Sequence, residues 1–298
     1  MTAKKITCRS NEEWRHERSK SIGASAVGIL IGENPWTTPL ELAHRMRAEM
    51  QGEFDYSETM PMRIGHAFEG GVAQLFEEET GHTIIQASGA EFLMRRDDIP
   101  FMHASPDRTY WLDDNGPKHG KKSESNKGLL ECKTTRMPVD ADELPASWVF
   151  QLQVQMGITG YHHGAIAWFV LPNSTFGYKE FDFDNEIFAA AVTVCREFWQ
   201  RCIVGGQEPE PVTPRDLVSL YPRHSAGKTI TASAATAAEI AELKELSDTK
   251  RELDKAIEEC KDRLKMQFTD EEAMVDTAGK VLCTFKANAK GQRMFLVK

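Results

Sequence analysis

The spacing of hydrophobic positions alternates along the chain between helical and strand-like stretches. Ser10-Asn11-Glu12-Glu13 reads as a capping box that starts a helix running to about Ser19. Ser21 to Ala26 is a small-residue turn into a second helix, and Gly32 to Trp36 is a further turn. Thr38-Pro39-Leu40-Glu41 caps the next helix, with proline at its first position. After a polar loop from Glu49 to Pro61, Val72, Leu75 and Phe76 mark another helix. Glu69 is placed near its start, where the helix dipole favours an acid. From Thr83 the pattern shortens to apolar runs over 83–86, 90–94, 101–105, 109–112 and 128–133, read as strands of one central sheet. Leu144 to Ser147 opens a helix on which Val149, Leu152 and Met156 should pack on the sheet, beside a stripe of Trp148, Gln151 and Gln155. Two strands follow over 162–171 and 176–183. A helix over 185–203 then turns Ile187, Val194, Phe198 and Cys202 inward.

Past Gly205 to Pro211 the pattern alters. Ala237 to Phe268 has the 3-4 spacing of a long amphipathic helix, interrupted by Lys250 and short of a coiled coil. Residues 280–285 and 292–297 form a hairpin around Asn288 to Gly291. The expected fold is α/β, a mixed sheet flanked by helices over residues 1–212, with a helix-and-hairpin extension over 213–298.

Composition is that of a globular chain, 41% hydrophobic and 27% charged in 298 residues. The net charge of −9 argues against a nucleic-acid partner until its distribution is considered. The segment 237–276 carries 13 acidic and 7 basic residues, and so six of the nine excess negative charges. Six scattered cysteines, with no Cys-x-x-Cys pair, fit a reducing compartment and offer no zinc spacing. With no apolar run of membrane-spanning length, a cytoplasmic location is expected.

The chemistry gathers between Ala104 and Lys133. In a strand, Glu131 and Lys133 point to one side and Cys132 to the other, and Asp107 can bring a second carboxylate to the same place. Two carboxylates with water and phosphate oxygens suit magnesium, and a neighbouring lysine can orient the attacking water. Alone, the pattern is equally that of a cross-strand salt bridge. Upstream, Arg18 and Ser25 flank a helix start and could hold a phosphate, although a surface charge and a helix cap would have the same spacing. Trp36 reads as a packing anchor. His162 and His163, adjacent on a strand, face opposite ways and receive no role. The lysines of the segment 113–127, Lys118, Lys121, Lys122 and Lys127, read as solvated.

Together these elements resemble the lambda exonuclease family, or YqaJ-like viral recombinases, of the PD-(D/E)xK nuclease superfamily. The resemblance is carried by Arg18 with Ile22-Gly23-Ala24-Ser25, by Asn34-Pro35-Trp36 through Leu42, and by Gly65 with Glu69. It continues through Ser105-Pro106-Asp107, Glu131-Cys132-Lys133 and Gln151 with Gln153. It implies magnesium, with manganese as a substitute, bound by Asp107, Glu131 and the Cys132 carbonyl. Glu69 would hold a second metal or water, Lys133 and Gln151 would serve the attacking water, and Arg18 and Ser25 would take the 5′ phosphate. It further implies 5′ to 3′ digestion of one strand at double-stranded DNA ends to leave 3′ tails for recombination, and a ring-shaped homotrimer. A single-strand annealing protein as partner and a phage or prophage origin complete the expectation. The alternatives are an endonuclease on the same core and a DNA-end-binding module without turnover. Where the family commonly has glycine after the aspartate, this chain has Arg108.

Overall fold

The computed structural model describes residues 3–55, 57–85, 92–112 and 126–298. Two compact units make up the chain, residues 1–223 and 224–298.

In the first unit, strand β1 (Lys4–Thr7) leads to helix α1 (Asn11–Ser19), capped by the Ser10 side chain on the Glu13 amide. Glu13 reaches back to the Arg9 amide, one residue earlier than a capping box requires. The expected second helix is preceded by a two-residue strand β2 (Ile22–Gly23). A 3-10 turn (Ala24–Ala26) and the short helix α2 (Val27–Leu30) then follow. Helix α3 (Pro39–Met50) has the full Thr38/Glu41 capping box. Helix α4 (Met60–Thr80) starts with Pro61 in its first turn and ends on Gly81, whose φ of 74° is the left-handed stop that glycine favours. Glu69 therefore sits mid-helix and not in the first turn, because the first turns of α4 carry exposed Met60 and Met62 and show no apolar period in the sequence.

The strands expected in one sheet fall into two. A four-stranded sheet has the order β1, β4 (Phe92–Arg96), β5 (Ile99–Ala104), β2, with β2 parallel to β5. The five-stranded sheet runs β3 (Ile84–Ile85), β6 (Arg108–Trp111), β7 (Lys127–Thr135), β8 (His163–Val170), β9 (Thr175–Asp182). The change of sheet comes at Ser105-Pro106-Asp107, where proline offers no amide to a ladder. Residues 86–91 and 113–125, including Lys118, Lys121 and Lys122, lie outside the described residues. Lys127 opens β7 with its ammonium 5.0 Å from the Trp111 ring centre.

Helix α5 (Ala146–Thr159) is the crossover between parallel neighbours β7 and β8. Both faces of β7 are covered, which is why its apolar residues run without polar alternation. Leu130 packs with Val72, Ala73 and Phe76 of α4, and Leu129 with Leu152 and Met156 of α5. Helix α6 (Asn185–Phe198) continues as a π-helical turn (Trp199–Val204), whose end is tied down by the Arg47 guanidinium on the Cys202 and Gln207 carbonyls. Its inward stripe is Phe188, Ala191, Val192, Cys195, Phe198 and Cys202, so Ile187 and Val194 are only half-buried. Helix α7 (Pro214–Leu220) belongs to this unit. Its buried Asp216 accepts from Thr38 Oγ1 at 2.7 Å and from the Val212 and Thr213 amides.

The second unit contains the 32-residue helix α8 (Ala234–Lys265), none of whose residues is buried. Its sheet is β10 (Ala273–Val275), β11 (Val281–Ala287), β12 (Arg293–Val297), one strand more than the expected hairpin. Phe268, Phe285 and Phe295 meet edge to face, with ring centres 5.8 to 6.4 Å apart.

Candidate active site

The register of β6 against β7 sets the site. Arg108 pairs with Leu130 antiparallel, so Asp107, one residue before β6, comes level with Glu131. The Asp107 Oδ2 accepts the Cys132 amide at 2.8 Å, which fixes its side chain against β7. Glu131 is turned toward α5 and is almost wholly buried, at 3% exposure. A charge there requires partners, and three donors supply them. Lys133 Nζ and Gln151 Nε2 bond Oε1 at 2.8 and 2.6 Å, and Gln155 Nε2 bonds Oε2 at 2.8 Å. Lys133 Nζ also donates to Gln151 Oε1 at 2.8 Å, closing a triangle of carboxylate, ammonium and amide.

Asp107 lacks such compensation. Burial first, then the facing carboxylates of Glu131 and Glu69, push its carboxyl well above the usual range, against the smaller pull of Lys133 and the Cys132 amide. The donor set is hard oxygen and the excess charge is negative, which fits a divalent cation held by Asp107, Glu131 and the backbone oxygen of Cys132. Cys132 turns its thiol to the α4 side, where burial and the same acids raise its pKa and keep it protonated.

Glu69 reaches this end of the sheet from the other face. Paired residues in a ladder share a face, so Arg108 projects with Leu130 toward α4 and meets Glu69 there. Its guanidinium bonds the Glu69 carboxylate and, at 2.6 Å, the Asp107 carbonyl. Among the described residues no three or more His, Cys, Asp or Glu side chains converge as a metal-ligand cluster. The residue that departs from the family pattern is thus the one that engages the third carboxylate.

Arg18 and Ser25 occur at the neighbouring sheet, beside Gly23. The Arg18 guanidinium lies 4.4 Å from the Trp14 ring centre and 3.8 Å from the position a Cβ would take on Gly23; Ser25 is exposed on the 3-10 turn that follows. Arg18, Trp14, Glu49, Ser57 and His66 line a cleft of about 570 Å³. Burial raises the Glu49 carboxyl there, with Arg45 and Arg18 pulling it back. Parallel pairing of Gly23 with His103 links this cleft to the acidic centre, since Asp107 is four residues beyond His103 on the same chain segment.

Two residues outside the expected site set lie close to it. Gln155 carries a legible signal, one helical turn after Gln151 on the same stripe. His103 carries none. It is buried at 2% exposure with Nδ1 2.9 Å from Ser21 Oγ, and its burial and the nearby Arg18 and Arg95 hold its pKa well below the usual value. Trp36 is exposed at 82% and so is no packing anchor within this chain. His163 Nδ1 lies 2.6 Å from an Asp182 carboxylate oxygen.

With helices on both faces of a mixed sheet and the acidic pair where its central strands meet, the protein has the core of the PD-(D/E)xK nucleases. Residues 13–162, half of its length, match the YqaJ-like viral recombinase domain, and the chain belongs to that family. It is 27% identical over 274 residues to the uncharacterized protein YqaJ of Bacillus subtilis strain 168, covering 88% of this chain and 80% of that one. Its fold matches LHK-Exo, an alkaline exonuclease from Laribacter hongkongensis, with a TM-score of 0.50 at 17% identity, covering 65% of this chain and 94% of that one. The complex of LHK-Exo with dAMP gives the same TM-score at 16% identity and the same coverage. No described helix is long and apolar enough to cross a membrane.

Proposed function

We propose that the protein is a magnesium-dependent exonuclease that enters linear duplex DNA at its ends and removes one strand in the 5′ to 3′ direction, leaving 3′ single-stranded tails. The observation that carries the reading is the buried Glu131, braced by Lys133 and Gln151 and facing an Asp107 that has no ion-pair partner of its own among the described residues. A bound magnesium would supply Lewis acidity to the scissile phosphate and acidify a water. The protein's own part is positional and electrostatic. Asp107, Glu131 and the Cys132 carbonyl hold the ion, with manganese as its substitute. Lys133, kept in place by Glu131 and Gln151, directs a proton donor at the attacking water or the developing phosphate charge. Glu69, its carboxylate occupied by Arg108, orders water at the edge of this centre.

Arg18 and Ser25 are assigned to the terminal 5′ phosphate, a dianion suited to a guanidinium and a hydroxyl beside an exposed turn. LHK-Exo forms a complex with dAMP, and a nucleoside monophosphate fits a product of end-wise cleavage. Double-stranded ends are the substrate in this reading, with a homotrimeric ring and a single-strand annealing protein as its assembly partners.

Digestion of linear and covalently closed circular duplex, with and without a 5′ phosphate, tests the function. Magnesium-dependent release of nucleotides from linear DNA only, faster with the phosphate, is expected. Cutting of closed circles establishes an endonuclease instead, and binding without nucleotide release establishes an end-binding module. Rates indifferent to the 5′ phosphate remove Arg18 and Ser25 from the site.

A further inference from the structure

The three glutamines of α5 have different employers. Gln153 turns away from the acidic centre and satisfies both ends of its amide on backbone, donating to the Asp182 carbonyl at 2.9 Å and accepting from the Asp184 amide at 2.7 Å. Gln151 and Gln155, four residues apart and so on one face, both meet Glu131. Gln155 is the more deeply set of the pair, at 1% exposure, and its Oε1 has no hydrogen-bond partner among the described residues. The cost of an unpaired buried acceptor offsets much of what one hydrogen bond returns, so packing alone gives an amide little advantage over an apolar residue of similar shape. The retained amide points to a task at Glu131.

That task follows from counting lone pairs. Each carboxylate oxygen offers two. Oε1 of Glu131 is filled by Lys133 and Gln151, whereas among the described residues Oε2 accepts Gln155 alone and keeps one lone pair open. Without Gln155 the carboxylate would be held at Oε1 alone and free to rotate about it.

We propose that Gln155 is a positioning residue of the metal centre: by holding Glu131 Oε2 it fixes the rotation of the carboxylate, so that the remaining Oε2 lone pair is presented with Asp107 to a divalent cation. The proposal rests on the reading of Asp107 and Glu131 as metal ligands.

The test is Mn²⁺ binding to DNA-free protein, followed by electron paramagnetic resonance at a temperature where circular dichroism shows every variant folded. Gln155→Met keeps length and bulk and removes the donor; Gln153→Met is the structural control on the same helix. Gln155→Met should weaken Mn²⁺ binding about 10-fold or more, the usual loss when a partner of a metal ligand is removed. Gln153→Met should lower the unfolding temperature and leave the dissociation constant unchanged. Gln155→Leu carries the same test if the methionine variant does not fold. Unchanged Mn²⁺ affinity on loss of the Gln155 amide, or equal weakening in Gln153→Met, overturns the proposal. A wild-type protein that binds no Mn²⁺ overturns the metal reading itself and the proposal with it.

Discussion

Lys133→Met isolates the charge of the ammonium from its bulk. Lys133 and Glu131 side chains are 19% and 4% exposed, so this is a largely desolvated pair. Breaking such a pair from one side costs about 3–5 kcal/mol, because the other charge stays buried. Glu131 keeps the amides of Gln151 and Gln155, which places the loss at the lower end, about 3 kcal/mol. For a unit of this size that is a fall of roughly 6–12 °C in Tm. Lys133 also pulls the Asp107 carboxyl down, so its loss leaves both acids worse compensated and a divalent cation correspondingly better placed to stabilise them. Thermal unfolding with EDTA and with magnesium should therefore show the variant less stable than wild type, and gaining more from magnesium. Nucleotide release from linear duplex should fall about 10²- to 10⁴-fold, the range for a lost proton-transfer or charge-stabilising group, with metal-free DNA binding retained. A variant with wild-type rate, or with the same magnesium gain as wild type, refutes the assignment of Lys133 and the shared role of the acids.

Three further outcomes are expected. Gly157→Ala in α5 would place its Cβ 2.3 Å from Cδ2 of the buried Phe188 ring; the forced shift should cost about 1–3 kcal/mol in chemical denaturation although alanine is the better helix former. His103 has a folded-state pKa held below its unfolded value, so the unfolded chain binds the extra proton. The stability it contributes is complete above about pH 6.5 and is lost as the pH falls below it, at up to about 1.4 kcal/mol per pH unit. The wild-type stability should therefore decline more steeply in that window than that of His103→Gln, and parallel curves would exclude His103 as the source. Arg108→Ala should free the Glu69 carboxylate and raise the number of Mn²⁺ ions bound per chain from one, counted by calorimetry; an unchanged count would show that Arg108 does not exclude a second ion.

What depends on short-range periodicity is legible in the sequence. Glu131 and Lys133 share a face because strands alternate, and the Thr38/Glu41 cap and the α5 stripe follow from equally local rules. What stays hidden depends on partners far along the chain. Nothing near Gly23 announces that Ile22 and Gly23 pair with Met102 and His103, and it is this pairing that joins the Arg18 cleft to the segment bearing Asp107. The start of α4 is obscured because its exposed methionines obey no period, which puts Glu69 in a first turn it does not occupy. The α6 stripe is read correctly at Phe198 and Cys202 and one residue out of place at Ile187 and Val194, because a run of alanines and valines fits two neighbouring faces equally well.

Arg108 shows how a local departure acquires meaning only from register. As a sequence feature it is a charged residue where the family commonly has glycine. In the fold its antiparallel pairing with Leu130 turns it toward α4, away from Lys133, and into contact with Glu69 and the Asp107 carbonyl. The two faces of β7 therefore carry two different cation–carboxylate pairs, Lys133 with Glu131 and Arg108 with Glu69, and Asp107 lies between them with no cation of its own. With all three acids ionised this arrangement carries one excess negative charge, which a proton on Asp107 balances in the metal-free protein, as its raised pKa reflects. In the proposed function a divalent ion replaces that proton between Asp107 and Glu131, and Arg108 supplies from the α4 side the charge that a second ion would otherwise bring.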